Sequence, residues 1–364
     1  MNPNTKRLQE LGQSLWLDNI TREILTNGTL ARYIAELSVT GLTSNPTIFE
    51  HAIANGHFYD EAIGTLARQG KSGEDLFFTL ALQDLTQAAD LFRPVFEATG
   101  GVDGWVSLEV SPLLADDTAR TIRAAARQHA AAARPNLFIK IPGTPAGLPA
   151  IEESIFAGVP INVTLLFSRE HYLAAAGAYL RGIERRIAAG LDPRVGSVAS
   201  LFVSRWDVAV KDVAPPQHRN RLGIAVAMRT YEAYRDLLAS ARWQELANAG
   251  ARPQRLLWAS TGTKDPDAVD TLYVEALAAP DTIDTMPEKT LHAYADHGNA
   301  GAALPVDGGD AETVLEEFGR VGIDDQALAA RLQREGADAF SKSWTALLSR
   351  IREKSSQLAE ASSR

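Results

Sequence analysis

Lys140 is the residue of this chain that most needs a chemical explanation, because it lies inside the apolar stretch "NLFIKI" at 136–141. Lysine is among the residues least often buried, and an unpaired charge in a core is costly. Apolar walls disfavour the charged form of a lysine, and a neutral amine attacks carbonyl groups to form a Schiff base. A protonated imine withdraws electrons from the neighbouring carbon–carbon bond. The stretch therefore predicts a lysine that helps to break such bonds, with neither a metal nor a cofactor.

The alternation of side chains along several apolar stretches predicts that other polar groups face the same interior as Lys140. In "VSLEV", "INVTLLF", "ASLFVSR" and "SLWLD", one face is aliphatic and the opposite face carries a polar member. The aliphatic face is expected to pack against helices, so the polar face must point inward. The inward polar set is Asp18, Glu109, Lys140, Asn162, Thr164 and Ser200. Trp16 and Trp258 are predicted to point inward as well, as core residues.

A structural interpretation of these polar residues competes with a functional one. One buried Lys–Glu pair can be purely structural, whereas six convergent polar groups from different strands favour a reactive site, since buried polar groups are costly. Schiff-base chemistry needs one group to move protons during carbinolamine formation and another to deprotonate the hydroxyl beside the breaking bond. Asp18 and Glu109 are the inward carboxylates available, and the alternation does not say which performs which task.

The elements that must position these residues are short apolar strands separated by helical segments. Strands apolar on both faces that alternate with helices predict a parallel sheet covered by helices, and eight such units predict an α/β fold, the (β/α)8 TIM barrel. In such barrels the active site lies at the C-terminal ends of the strands. The predicted strands are 14–18, 38–44, 104–110, 136–141, 161–167, 197–203, 255–260 and 281–286.

Two departures from a plain barrel are visible. A long helical insertion is predicted over 57–98, after the second strand. After Gly298 a loop rich in glycine and proline precedes further helices. We expect one domain over 1–364, with the barrel at about 10–300, a helical C-terminal appendage at about 310–352 and a fraying polar tail at 353–364.

Composition narrows the class of protein. Of 364 residues, 45% are hydrophobic and 22% are charged, which is typical of a globular chain. The formal net charge of −9 argues against nucleic-acid partners and anionic membranes, so a bound anion requires local cations. The absence of cysteine excludes a thiol nucleophile and disulfides. No targeting segment or membrane span is recognised, so a cytoplasmic location is expected.

Several segments, in one order along the chain, resemble the transaldolase family in its longer bacterial form, within the class I aldolase superfamily. They are "WLDNI", "GLTSNPTIF", "VSLEVSP", "LFIKIPGTPAG", "INVTLLFS", "SLFVSRWD", "WASTGTKDP" and "TMPEKTLHAYADHG". The resemblance runs from about residue 8 to about residue 350. It implies transfer of a dihydroxyacetone unit from sedoheptulose 7-phosphate to glyceraldehyde 3-phosphate, giving erythrose 4-phosphate and fructose 6-phosphate. This is a step of the non-oxidative pentose phosphate pathway, and it uses no cofactor or metal.

The resemblance also implies catalytic roles for four residues. Lys140 matches the Schiff-base lysine, and Asp18 matches the acid/base for carbon–carbon cleavage. Glu109 matches the carboxylate that works through a water held with Thr164.

Substrate-binding roles follow from the same resemblance. Asn45 and Asn162 match residues that hydrogen-bond the dihydroxyacetone hydroxyls. Ser200 and Arg205 match substrate- and phosphate-binding positions, with Phe202 between them as a pocket residue.

One departure from the family pattern concerns the phosphate site. Many transaldolases carry an arginine after the seventh strand, where this chain has "STGTK". Lys264, with Ser260, is the expected substitute, although lysine binds phosphate as a point charge rather than as a bidentate fork.

Two rival functions stay open at this stage. One is another lysine aldolase, either deoxyribose-phosphate aldolase or a fructose-6-phosphate aldolase-like lyase. The Glu109–Thr164 pair favours transaldolase, because the fructose-6-phosphate aldolases have glutamine in place of Glu109. The other is a catalytically inactive barrel that only binds sugar phosphates. The motif "HAYADHG" at 292–298 suggests a metal site, but a role at a helix terminus is the preferred interpretation.

Overall fold

The computed structural model describes residues 1–362 and contains a closed barrel of eight parallel strands, each paired with the next in chain order. The predicted (β/α)8 TIM barrel is confirmed, and every predicted strand is present within two residues of its expected bounds. The strands are β1 Ser14–Asp18, β2 Val39–Thr43, β3 Val106–Glu109, β4 Leu137–Pro142, β5 Ile161–Leu166, β6 Ser197–Phe202, β7 Gln254–Ala259 and β8 Thr282–Met286.

Sixteen helices accompany the strands over these residues, with two short 3-10 helices at Pro112–Leu114 and Pro216–His218. The helices of the first half are α1 Pro3–Glu10, α2 Arg22–Thr26, α3 Thr29–Glu36, α4 Pro46–Asn55, α5 Asp60–Arg68, α6 Gly73–Ala98, α7 Thr118–Ala132 and α8 Gly147–Phe156. Those of the second half are α9 Arg169–Ala188, α10 Ser204–Val210, α11 Leu222–Ala239, α12 Ala241–Asn248, α13 Leu272–Ala276, α14 Glu288–His297, α15 Ala311–Arg320 and α16 Asp325–Ser362. No helix in this part of the chain is both long enough and apolar enough to cross a membrane.

The strands are buried on both faces, which explains their nearly continuous apolar sequences. Every strand residue is buried except Asp18, which is partly exposed at the C-terminal end of β1. The outward aliphatic faces pack against the helices, and the inward faces meet inside the barrel.

A polar cluster closes the N-terminal end of the barrel, on the side away from the expected active site. Asp103 accepts hydrogen bonds from Ser14 and from the indole of Trp16. The guanidinium of Arg255 donates to Ser14 Oγ at 2.7 Å and lies 3.9 Å from Asp103. Gly41 is required here, because a Cβ would lie 2.7 Å from the Trp16 ring and from the carbonyl oxygen of Trp105. These contacts stabilise the bottom of the barrel.

The prediction for Trp258 is wrong, although Trp16 faces inward as expected. The indole of Trp258 donates to the carbonyl oxygen of Leu277 at 3.0 Å, and its ring lies 6.5 Å from that of Tyr231 in α11. It therefore belongs to the layer between β7 and the helices. Its neighbours Arg255 and Ala259 take the inward face, and alternation then sends Trp258 outward.

The predicted insertion after the second strand is helical and consists of α5 and α6. Helix α16 packs against α4, α5, α6 and the end of β5, so it lies beside the C-terminal ends of the strands.

The predicted polar tail is helical over its described part. Helix α16 runs to Ser362, with Ile351 buried and Leu358 packed against the core. Lys354 donates to the carboxylate of Asp60 at 2.6 Å, which ties the tail to α5. A helix end rich in polar residues can dock when one face carries such anchors. Residues 363 and 364 of the predicted tail lie outside the described part.

Candidate active site

A cavity of about 270 Å³ opens at the C-terminal ends of the strands and gathers most of the predicted site residues. Nine of the eleven line it: Asp18, Asn45, Lys140, Thr164, Ser200, Phe202, Arg205, Ser260 and Lys264. The other two, Glu109 and Asn162, lie against members of this set, as the contacts below show. The fold brings together side chains that are up to 246 residues apart in sequence, from Asp18 to Lys264.

The amine of Lys140 is held from two sides at the floor of the cavity. Residues Glu109 and Lys140 are directly opposed in the register of β3 and β4, and Lys140 Nζ lies 3.2 Å from Glu109 Oε2. The same Nζ donates to the carbonyl oxygen of Ser44 at 3.1 Å. The side chains of Lys140 and Glu109 are buried, with 6% and 4% of their surface exposed. Burial raises the pKa of Glu109, and the nearby Lys140 ammonium opposes that rise.

Asp18 reaches the cavity from the end of β1 and is held by a chain of hydroxyl groups. Thr43 Oγ1 donates to Asp18 Oδ1 at 2.8 Å, and the hydroxyl of Thr285 lies 2.7 Å from that of Thr43. Because Thr43 uses its proton on Asp18, Thr285 donates to Thr43. The surrounding protein desolvates Asp18 and raises its pKa, against the lowering effects of Lys140, Thr43 and Lys264. A carboxyl group with a raised pKa in a cleft is suited to accept and return a proton.

A second polar chain lies under the cavity between β3, β5 and β6. Ser200 Oγ donates to Asn162 Oδ1 at 2.7 Å, and Asn162 Nδ2 donates to Ser107 Oγ at 3.1 Å. Asn162 opposes Lys140 in the register of β4 and β5. These bonds fix the orientation of the Asn162 amide beside the amine.

Asn45 and Thr164 each carry one polar group that forms no hydrogen bond within the described part of the chain. Asn45 caps α4 by accepting from the backbone amide of Ile48 at 3.1 Å, which leaves its Nδ2 group for the cavity. The buried hydroxyl of Thr164 has no hydrogen-bond partner in the protein. It lies next to Leu165, which has a φ of 59°, where the register of β5 shifts between Val163 and Leu166. Such a bulge re-aims side chains next to active sites.

Two cationic side chains, those of Arg205 and Lys264, line the cavity. Arg205 lies in the first turn of α10, directly after β6, and its guanidinium carbon is 5.5 Å from the Phe202 ring centroid. Burial lowers the pKa of Arg205, and Glu335 opposes this change. Lys264 is exposed in the loop after β7. Neither cation forms an ion pair within residues 1–362, so both are available to an anionic ligand.

Two serines join the start of α10, which carries Arg205, to the loop that carries Lys264. Ser204 Oγ lies 2.9 Å from Ser260 Oγ, and the amide of Ser204 donates to the carbonyl oxygen of Ser260 at 3.0 Å. Ser260 has a φ of 59°, a conformation that non-glycine residues adopt rarely and that clusters at functional sites.

Several lining residues were absent from the sequence prediction. Thr43 and Thr285 could have been found, because they lie at the C-terminal ends of strands on the inward face. Thr47, His51 and Phe340 reach the cavity from helices, where alternation offers no signal.

The motif at 292–298 serves contacts between elements. His292 Nε2 lies 2.8 Å from the hydroxyl of Tyr33, and His297 pairs with Asp270 and Asp296 at 2.8 and 3.2 Å. Among the described residues no group of three or more histidine, aspartate or glutamate side chains could hold a metal ion.

Comparisons with known proteins agree with the geometry of this site. The sequence model of the family described as Transaldolase/Fructose-6-phosphate aldolase matches residues 15–351. The chain is 45% identical over 363 residues to a transaldolase of Saccharopolyspora erythraea, covering 98% of this chain and 99% of that protein. It is 46% identical over 360 residues to a transaldolase of Thermobifida fusca, covering 96% and 98%. This chain therefore belongs to the transaldolase/fructose-6-phosphate aldolase family.

Proposed function

We propose that the chain is a transaldolase that transfers a dihydroxyacetone unit through a Schiff base on Lys140. The observation that carries this proposal is the buried pair of Lys140 and Glu109, 3.2 Å apart at the floor of a cavity that Asp18 also lines. The donor is sedoheptulose 7-phosphate and the acceptor is glyceraldehyde 3-phosphate. The products are erythrose 4-phosphate and fructose 6-phosphate, and the reverse reaction uses the same groups.

The first stage joins the donor to the enzyme. The neutral amine of Lys140 attacks the donor ketone, a carbon–nitrogen bond forms, and the resulting carbinolamine loses water to give a protonated imine. Glu109 exchanges the protons of these steps through a water shared with the Thr164 hydroxyl. The unused hydroxyl of Thr164 and the raised pKa of Glu109 support this role.

The second stage breaks the carbon–carbon bond. Asp18 takes the proton of the C4 hydroxyl, the C3–C4 bond breaks, and its electrons move toward the imine nitrogen to give an enamine. The aldose phosphate then leaves. In the transfer step the enamine carbon attacks the acceptor aldehyde, Asp18 returns its proton to the new alkoxide, and hydrolysis frees Lys140. The raised pKa of Asp18 supports this alternation between base and acid.

The remaining predicted residues bind the substrate. Asn45 and Asn162 hydrogen-bond the dihydroxyacetone hydroxyls, with Ser200 holding the Asn162 amide, and Phe202 forms an apolar wall. Arg205 and Lys264 bind the phosphate with Ser260 between them. In support of this role, these cations have no ion-pair partner among residues 1–362, in a protein whose net charge is −9.

The test is to trap the intermediate. Incubation with fructose 6-phosphate and borohydride should add a reduced three-carbon unit, and digestion should place it on the peptide that contains Lys140. Labelling that persists in the Lys140→Ala variant would refute the assignment of the lysine. Activity should also survive EDTA, whereas loss with EDTA that a divalent ion restores would indicate a metal aldolase.

A transfer assay separates the candidate functions of the family. Fructose 6-phosphate with erythrose 4-phosphate should give sedoheptulose 7-phosphate, with little free dihydroxyacetone. Release of dihydroxyacetone as the main product would identify a fructose-6-phosphate aldolase-like lyase. Absence of both trapping and transfer would identify a barrel that only binds sugar phosphates.

A further inference from the structure

Phe340 covers the reactive amine from a helix outside the barrel. The side chain is 5% exposed and lines the cavity, and Lys140 Nζ lies 5.8 Å from the centroid of its ring. With Glu109 and the Ser44 carbonyl holding the same nitrogen, Phe340 supplies an apolar and aromatic contact.

Helix α16 is docked in a way that fixes this ring. One turn before Phe340, Gly336 allows close contact, because a Cβ there would lie 2.9 Å from Leu165 Cδ2. Two turns before Phe340, buried Gln333 donates to the carbonyl oxygens of Gly143 and Leu165 at 3.1 and 3.0 Å. One turn after it, the indole of Trp344 donates to Glu74 at 3.0 Å. The ring is therefore held in place from both sides along the helix.

An aromatic face has a specific consequence for an imine. The protonated imine is a cation at the Lys140 nitrogen, and a ring face within about 6 Å attracts a cation. The ring also replaces water on that side of the cavity. Both effects favour the covalent intermediate over its hydrolysis.

We propose that Phe340 shields the Lys140 intermediate from water and so determines the partition between transfer to an aldehyde acceptor and release of free dihydroxyacetone. This inference rests on the proposed transaldolase function. Release takes the three-carbon intermediate through two steps, whereas transfer consumes the same intermediate by its attack on the acceptor aldehyde. The enamine carbon takes a proton from water, which gives the imine of dihydroxyacetone. A water molecule then adds to the C=N carbon, the carbon–nitrogen bond breaks, and the nitrogen leaves with a proton as the free Lys140 amine.

The experiment compares the ratio of released dihydroxyacetone to transferred product in the full-length enzyme and in Phe340→Leu. Fructose 6-phosphate is the donor and erythrose 4-phosphate the acceptor, and dihydroxyacetone is assayed enzymatically in the same samples. The ratio should rise at least about threefold, because a cation–ring contact of this kind is worth a factor of this order. The half-life of the borohydride-trappable adduct without acceptor should shorten by a similar factor.

Leu347 provides the matched control. It lies two turns along the same buried face of α16, is fully buried, and does not line the cavity. Leu347→Ala should therefore loosen the helix without changing the ratio. A second replacement, Phe340→Met, keeps the bulk without the aromatic face and should raise the ratio as well, which keeps the inference testable if Phe340→Leu fails to fold.

Two outcomes would overturn the inference. An unchanged ratio in folded Phe340→Leu and Phe340→Met shows that Phe340 is a packing residue only. Equal rises in the Phe340 variants and in Leu347→Ala show that any loosening of α16 has the same effect. A wild-type enzyme that neither traps nor transfers would instead contradict the proposed function itself.

Discussion

Lys140 and Glu109 form a buried ion pair that contributes little to stability by itself. Desolvation of two charges often cancels their attraction, so such a pair is weak evidence for a structural role. Its position at the floor of the cavity gives it a chemical role instead. At this scale the division of work between the two carboxylates can be tested directly.

The Asp18→Asn variant should still form the imine but should fail to cleave it. Borohydride is then expected to trap the whole donor sugar on Lys140, because the amide cannot take the C4 hydroxyl proton. Loss of a general base typically slows its step about 10²–10⁴-fold, so mass spectrometry of the trapped adduct can resolve the delay. A three-carbon adduct that accumulates at the normal rate would show that Asp18 is not the cleavage base.

The Glu109→Gln variant is the counterpart, and it should slow trapping itself. Its adduct should be the three-carbon unit, formed more slowly, because carbinolamine proton transfer precedes cleavage. Normal trapping kinetics in this variant would contradict the proposed role of Glu109.

The two cations should act on binding more than on chemistry. Arg205→Ala and Lys264→Ala are each expected to raise KM for phosphorylated substrates about tenfold or more, because a hydrogen bond to a charged group is worth about 1.5–3 kcal/mol. The KM for unphosphorylated erythrose as acceptor should not change. Lys211→Ala is the matched control, since Lys211 is exposed nearby but does not line this cavity. An unchanged KM would reject the assignment for the residue concerned.

At the scale of elements, α16 contributes to the wall of the cavity, although it follows the barrel in sequence. Its buried face carries residues at intervals of three and four: Gln333, Gly336, Phe340, Trp344, Leu347 and Ile351. The indole of Trp344 packs edge-on against Phe77, with centroids 4.8 Å apart, so the helix also joins α6. The C-terminal appendage is thus part of the wall of the cavity.

Gln333 anchors this helix, and its removal should weaken the fold. Gln333→Met takes the donor away from two buried carbonyl groups, so the free energy of unfolding should fall by about 1–3 kcal/mol in urea denaturation. Gln326→Met is the control, because exposed Gln326 bonds only to the exposed part of Glu170, and its effect should stay within about 0.5 kcal/mol. Equal stability of the two variants would show that the Gln333 bonds do not hold α16.

At the scale of the whole molecule, the burial of Asp284 in β8 should make stability depend on pH. Asp284 faces outward from β8, fully buried, and accepts a hydrogen bond from Thr261 at 2.8 Å while its other oxygen has no partner. Burial raises its pKa to about 7, and the Thr261 hydrogen bond opposes the rise. The folded state therefore keeps a proton that the unfolded state loses near its ordinary pKa of about 3.9. The stability linked to this proton is fully present below about pH 4 and is lost as the pH rises through about 7.

The Asp284→Asn variant cannot ionise and should lose this pH dependence. Relative to wild type, its free energy of unfolding should rise by about 1–3 kcal/mol between pH 5 and pH 8. Any effect of the amide on the free energy of unfolding that does not depend on pH is the same at pH 5 and pH 8, so it cancels in this comparison. Asp212→Asn, at an exposed position, should show no such trend. Parallel pH curves for Asp284→Asn and wild type would contradict the shifted pKa.

The sequence by itself determined the barrel, its eight strands and most of the cavity. Alternation with a period of two is a local property, so the position of Glu109 or Lys140 within its strand decides the face on which it lies. Parallel strands then bring their C-terminal ends to one side of the barrel, which is why Asp18, Asn162 and Ser200 could be placed beside them without coordinates. The catalytic roles came from the family resemblance, since alternation could not tell the two carboxylates apart.

Only the tertiary structure decided which helix covers the reactive amine. The spacing of apolar residues along α16 predicts that one face of this helix is buried, but it does not predict which part of the protein this face packs against. Helix docking depends on contacts between residues distant in sequence, such as that of Gln333 with Gly143. For the same reason the sequence could not assign Phe340 to the cavity. Trp258 shows a similar limit for the strands. The sequence alone does not show on which face of a strand an aromatic residue lies. In β7, Arg255 and Ala259 lie on the inward face, so Trp258 lies on the outward face.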